Sequence, residues 1–383
     1  MIELPHMLMI GGTRSKVGKT ELACRLIGMY GASHRVIGIK ITTVHDETDE
    51  CPRGGEGCGA CTSFEGGFCF TEESMDPPGK DTSRMLAAGA ERVLWLRALR
   101  PNLEEGISAL LETIDYDAAL ICESVSLRHI VKPGLFLMVK EKGADEFKPS
   151  AEEVRDHVDM IIESDGKTFD IDPNDITLAD GAWTLREAAT AIVMAGGKST
   201  RMGSDKCFLP IGRRPMIEHI CNRLSPHFKQ LLISANDIDR YSFLGFEVIP
   251  DKIPGYGPLM GIVSVIEASE HDLNAVIACD MPNIDAMFLK RLIRECKGYE
   301  GAVPVTKDSL LEPMCAVYSK SILETFREAV AAGEHKISEI LKRCKIHYIE
   351  VSDDTSFRNI NTRKDYENYI TAGPPAKKEK ENM

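Results

Sequence analysis

A chain of 383 residues, 43% apolar and 27% charged, exceeds what one hydrophobic core usually serves, so two domains of ordinary size are expected. No uninterrupted apolar run is long enough to cross a bilayer, and the opening residues lack the basic segment, apolar stretch and cleavage site of a secretory leader, so no membrane association and a cytoplasmic location are expected. A formal net charge of −13 disfavours broad binding to nucleic acid or anionic lipid and leaves small anions, held by local basic loops, as the natural ligands.

The stretch "HMLMIGG" predicts a buried strand, and "KTELACRLIGMYG" carries apolar residues at helical spacing. Between them runs "GGTRSKVGKT", residues 11–20. Backbone N–H groups in a glycine-rich strand-to-helix turn point at an anion, and the following helix adds its positive end. Against the pattern GxxxxGK[ST], Gly18, Lys19 and Thr20 are in place, while Thr13 stands at the first glycine with Gly11 and Gly12 just before it. Lys19 is expected to reach nucleotide phosphates and Thr20 to offer its hydroxyl to Mg²⁺. A carboxylate to hold that metal is sought at a strand end, with Glu123 closing "AALICE" and Asp81 in "PGKDTSR" as candidates.

Twelve cysteines are too many to read as disulfides in a reducing compartment. Cys51, Cys58, Cys61 and Cys69 gather in the insert 51–69, "CPRGGEGCGACTSFEGGFC". Thiolates at such spacing can bind Zn²⁺ or an iron–sulfur cluster, with a loop of free thiols as the alternative. The other eight are expected to be buried small hydrophobes.

"RVIGIKIT", "AALICES" and "LFLMVK" add short apolar strands, which predicts a parallel sheet. The polar, aspartate-rich "KTFDIDPNDITLADGAW", with Pro173, predicts a linker or an irregular edge, so the domains are placed at 1–182 and 183–373. The second half restarts the alternation with "TAIVMAGG", "QLLISAN", "FEVIP", "NAVIACD" and "GAVPVT" as strands, giving an α/β chain of two domains. The charged tail 374–383 has no apolar partners and is expected to be disordered.

The loop "AIVMAGGKSTRMGSDK", residues 191–206, sets basic side chains directly after a buried strand. Nucleotidyl transfer needs an incoming phosphate aligned with the α-phosphorus of a nucleoside triphosphate, and charge stabilised on the departing pyrophosphate. Gly196 and Gly197 allow close backbone approach, Arg201 and Lys206 neutralise the triphosphate, and Asp280 after "AVIAC" is placed to hold Mg²⁺. No candidate is an activated nucleophile with an adjacent base, so no covalent enzyme intermediate is expected.

Two resemblances follow from these motifs. "SKVGKT", "GIKIT" with His45 and Asp46, "GKDTSRMLAAGA" and "ICES" resemble, in order, the small GTP-binding adaptor family called MobB, over roughly residues 5–165. "GGKSTRMGSDK" with "LPIGRRPMIEH", then "SAND", "VIPDKIPGYGPLMGI", "ACDMP" and "FRNINTRKDY" resemble the molybdenum cofactor guanylyltransferase family, MobA, over about 190–370. The first resemblance implies a P-loop NTPase-like parallel sheet that binds GTP. The second implies a Rossmann-like nucleotidyltransferase sheet of the GT-A kind, with guanine and ribose against Met194, Ala195 and Gly196, phosphates near Lys206 and Mg²⁺ on Asp280. It further implies nucleotide contacts from Asp251, Asn236 and Ser234, the last standing where the family commonly has asparagine, and Asn359 and Asn361 facing the pterin.

Together the resemblances imply transfer of GMP from GTP to Mo-molybdopterin with release of pyrophosphate. The first half would be a GTP-binding adaptor assisting delivery, with molybdoenzyme apo-proteins as partners. Rival readings are a cytidylyltransferase for the same pterin, a sugar-nucleotide pyrophosphorylase, or a non-enzymatic GTP-dependent carrier centred on the cysteine insert.

Overall fold

A computed structural model describes residues 1–44, 67–74, 80–115, 117–196, 206–351, 359–360 and 362–372. The chain divides into two compact units, Met1–Leu185 and Arg186–Met383.

In the first unit the strands are β1 (Ile2–Gly12), β2 (Val36–Val44), β3 (Phe68–Glu72), β4 (Arg92–Leu99), β5 (Ala119–Glu123), β6 (Val131–Glu141) and β7 (Met160–Ser164). They form a sheet in the order β3-β4-β2-β5-β1-β6-β7, parallel throughout except for β3, which runs antiparallel on β4. Alternation along β1 builds two cores. Leu8 and Ile10 pack with Leu22 and Leu26 of α1 (Lys19–Tyr30) and Met85 of α2 (Asp81–Ala87), while Met7 and Met9 pack with Ile107 and Leu110 of α3 (Leu103–Leu111). Helices on both faces explain why the central strands read as continuous apolar runs.

The segment expected to be a linker or an irregular edge contains a hairpin, β8 (Ile176–Ala179) with β9 (Ala182–Leu185). It turns through Asp180 (φ 51°) and Gly181 (φ 75°) and carries Trp183 into the α1-side core, where its ring meets Tyr30 edge-on. Trp183 therefore belongs to the first unit, which ends after Leu185.

The second unit holds β10 (Glu187–Met194), a two-residue ribbon β11 (Pro210–Ile211) and β12 (Arg214–Pro215), β13 (Phe228–Ser234), β14 (Glu247–Ile249), β15 (Leu273–Ala278), β16 (Gly301–Val305), β17 (Cys315–Ser319) and β18 (Ile346–Glu350). Its sheet runs β14-β13-β10-β15-β17-β16-β18, with β17 antiparallel to both neighbours. Along β10, Ala191 and Val193 face one core, and Ile192 and Met194 face the other. The two faces are closed by helices that include α4 (Met216–Leu224), α5 (Pro258–Ala268) and α6 (Ala286–Glu295).

Candidate active site

After β10 the chain crosses to β13 on one side and later to β15 on the other, so the carboxyl end of β10 is a switch point, the place where open α/β sheets take ligands. Backbone bonds knit this edge together. Ala195 N–H donates to Ser234 O (2.9 Å), Cys279 N–H to Met194 O (3.1 Å) and Ala235 N–H to Ile249 O (3.1 Å). The Tyr241 hydroxyl donates to Ala195 O at 3.2 Å. Gly196 is exposed at this edge, and among the described residues a Cβ there would meet only Ser234 O, 3.9 Å away.

Lys206, opening a short 3-10 turn, and Asp280, two residues beyond β15, form an ion pair at 3.1 Å with side chains 17% and 19% exposed. Such partial shelter strengthens their attraction while leaving both heads reachable. Asp251, beyond β14, and Asn236, beyond β13, hold each other reciprocally: Asn236 Nδ2 donates to the Asp251 carboxylate (2.9 Å), and Asp251 N–H to Asn236 Oδ1 (2.8 Å). Ser234 is buried at 2% exposure.

Gly261 on α5 sits against this group. A Cβ on it would lie 2.8 Å from Met194 Cε, 2.9 Å from Ser234 Oγ and 3.2 Å from Asp251 Oδ1. Ile360 N–H donates to Asp280 O (2.9 Å), which ties the Asn359–Ile360 segment to the backbone of Asp280. Asn359 Oδ1 is buried without a hydrogen-bond partner, and so is Asn283 Oδ1, three residues past Asp280. Unpaired buried acceptors are costly, and each of these is suited to a group that donates hydrogen bonds. Asn283 and Gly261 were missing from the sequence reading; for Asn283 the available signal was its place directly after "ACDMP".

In the first unit, Lys16 (φ 61°) and Gly18 (φ 99°) take left-handed conformations in the loop after β1, the alternation that turns successive N–H groups toward one point. A Cβ on Gly18 would come within 2.8 Å of Ser164 Oγ. The Thr20 hydroxyl donates to Glu123 Oε2 (2.8 Å), and Lys19 Nζ lies 3.7 Å from Glu123 Oε1. Asp81 pairs with Lys40. Burial pushes the Asp81 carboxyl up, but the Lys40 ammonium and the Thr20 hydroxyl together outweigh it and hold the group below the usual carboxylate range. Lys19, Thr20, Glu123 and Asp81 are thus gathered at one end of this sheet.

Gly197, Arg201, Asn361, Cys51, Cys58 and Cys61, and the tail 374–383, lie outside the described residues. Cys69 is on β3, partly buried. Among the described residues no three His, Cys, Asp or Glu side chains gather as a metal site, and no helix is long and apolar enough to cross a membrane. Of the cysteines expected to be buried, Cys24, Cys279 and Cys344 are partly exposed.

A sheet with a switch point, a glycine at its open edge and a sheltered lysine–carboxylate pair beyond the strand ends suits the binding of a ligand at that edge. Residues 191–348 match the family described as "MobA-like NTP transferase domain". The probable molybdenum cofactor guanylyltransferase of Pelotomaculum thermopropionicum is 32% identical over 184 residues, 46% of this chain and 89% of that protein. The molybdenum cofactor guanylyltransferase of Shewanella halifaxensis is 35% identical over 179 residues, 45% of this chain and 88% of that protein. A solved structure of molybdopterin-guanine dinucleotide biosynthesis protein A from Archaeoglobus fulgidus is 26% identical, with a TM-score of 0.42 and coverage of 47% of this chain and 95% of that one. Through its second half, the chain belongs to the molybdenum cofactor guanylyltransferase family.

Proposed function

We infer that the protein transfers GMP from GTP to Mo-molybdopterin, giving the guanine dinucleotide form of the cofactor and pyrophosphate. An oxygen of the pterin's terminal phosphate attacks the α-phosphorus, the bond to the β-phosphate oxygen breaks, and pyrophosphate leaves. The observation that carries this reading is the Lys206–Asp280 pair at the carboxyl ends of β10 and β15. Its two members suit the two charges of a metal–triphosphate: the ammonium turns to the phosphates, and the carboxylate, a hard oxygen donor, takes Mg²⁺. That metal would supply charge neutralisation on the phosphates and the pyrophosphate. Arg201 and Gly197 complete the phosphate loop in this proposal. Met194, Ala195 and Gly196 line the guanosine, and Asp251, Asn236 and Ser234 close its far side. Asn359 and Asn361 meet the pterin, whose amino and ring N–H groups are donors of the kind that Asn359 Oδ1 and Asn283 Oδ1 lack.

For the first unit we propose a GTP-binding adaptor with its phosphates over Gly18 and Lys19. The support is the pairing of Thr20 with Glu123, a hydroxyl and a carboxylate spaced to share Mg²⁺, with Asp81 beside them. Delivery of product to molybdoenzyme apo-proteins is the role proposed for it.

The test is purified protein with Mo-molybdopterin, Mg²⁺ and either GTP or CTP, following pyrophosphate and dinucleotide product together. Product is expected with GTP alone; product with CTP alone would make the enzyme a cytidylyltransferase. Asp280→Ala should lower turnover by about 100-fold or more while the protein stays folded; unchanged turnover would move the chemistry away from this pair.

A further inference from the structure

Directly beside the ion pair, two sulfurs meet. Cys207 follows Lys206, Cys279 precedes Asp280, and their Sγ atoms lie 2.8 Å apart. The Cys207 thiol also lies 3.8 Å from Ala195 O, on the edge proposed to hold guanosine. Closing a disulfide from this position brings the sulfurs together by less than an ångström, to about 2.05 Å. The two cysteines differ in access: Cys207 is 2% exposed, whereas Cys279 reaches solvent.

We propose that Cys207 and Cys279 are a dithiol modification site that exchanges with low-molecular-weight disulfides, closing a crosslink that clamps Lys206 onto Asp280 and stops nucleotidyl transfer. Its functional half rests on the transferase reading above. The accessible Cys279 thiolate attacks one sulfur of the small disulfide, releasing one thiol and leaving a mixed disulfide. The Cys207 sulfur then attacks Cys279 Sγ and expels the second thiol. Two S–H bonds and the oxidant's S–S bond are lost, one protein S–S bond forms, and the oxidant leaves as two thiols carrying the two protons. The neighbouring Cys221 is a poor competitor, because burial pushes its thiol up to about 12 and keeps it protonated.

A crosslink between the residues flanking the ion pair narrows the gap into which phosphate and metal must insert. A displacement of about 1 Å at reacting groups costs roughly 100-fold in rate. Loss of turnover on that scale is expected, with full recovery in dithiothreitol.

The full-length protein is treated with glutathione disulfide, alkylated, digested and mapped by mass, with pyrophosphate release measured in parallel. The expected product joins the Cys207 and Cys279 peptides, two hydrogens lighter than their sum. Cys279→Ser and Cys207→Ser should keep reduced-state turnover and lose sensitivity to the oxidant. Equal alkylation of both thiols before and after treatment, a lasting glutathione adduct on Cys279, or a Cys207–Cys221 link would overturn the site. A quantitative crosslink with undiminished turnover would overturn the clamp. If untreated protein makes no product at all, the transferase reading fails, while the peptide masses still decide the dithiol.

Discussion

Gly261 has no side chain at the point where α5 passes closest to Met194, Ser234 and Asp251. Replacing it with alanine puts a methyl against one flexible tip, Met194 Cε, and two shorter polar side chains, at Ser234 Oγ and Asp251 Oδ1. The alanine gains about 1 kcal/mol of helix propensity, which offsets part of the overpacking. Gly261→Ala should therefore leave the melting temperature within a few degrees of the parent yet raise the KM for GTP by roughly tenfold, ~1.4 kcal/mol. Titrating GTP against pyrophosphate release checks this, and an unchanged KM would take Ser234 and Asp251 out of the nucleotide pocket. At this scale a sequence points more readily to charged residues than to those that would act by shape or by an unmet hydrogen bond. Lys206 and Asp280 draw attention by their charge around apolar strands and Asp251 by the family resemblance, whereas the close approach at Gly261 and the unmet acceptor of Asn283 exist only once α5 and the Asp280 loop are packed.

Among the elements, α6 ties stability to the site, because only the turn from Asp280 to Asp285 separates the ion pair from its first residue. Asp285 caps it, accepting from Met287 N–H at 2.9 Å, and Leu289, Leu292 and Ile293 seat the helix in the core shared with Ala191 and Val193. Asp285→Ala should cost about 1 kcal/mol of unfolding free energy by losing the cap. Urea denaturation of the variant measures it, and a loss near zero would mean that packing alone holds the helix start. The strands β1, β2, β5 and β10 were legible because burial on both faces makes them apolar throughout. The β8–β9 hairpin was not, because its aspartates and Pro173 suggested a linker or an irregular edge. Asp172 in fact caps the turn before β8 by accepting from Asn174 N–H (2.9 Å), and the Asp180–Gly181 pair supplies the two left-handed residues that a tight hairpin turn requires.

At the level of the whole molecule, the relatives separate the two units by example. The Pelotomaculum protein is matched over 89% of its length by 46% of this chain, so a polypeptide little longer than the second unit already makes up a protein of this family. That unit has its own sheet and its own pair of cores, which is what independent folding requires. Residues 186–383 alone should thus fold in one cooperative transition and turn over GTP with a kcat within about threefold of the full chain, a change under ~0.7 kcal/mol in barrier. Delivery should behave differently. If the first unit is an adaptor, removing it lowers the rate at which an apo-molybdoenzyme gains activity at limiting pterin, while pyrophosphate release per site is maintained. Measuring both on the same preparations separates the roles: equal delivery with and without residues 1–185 would remove the adaptor proposal, and loss of pyrophosphate release from a folded fragment would make the first unit part of the catalytic machinery.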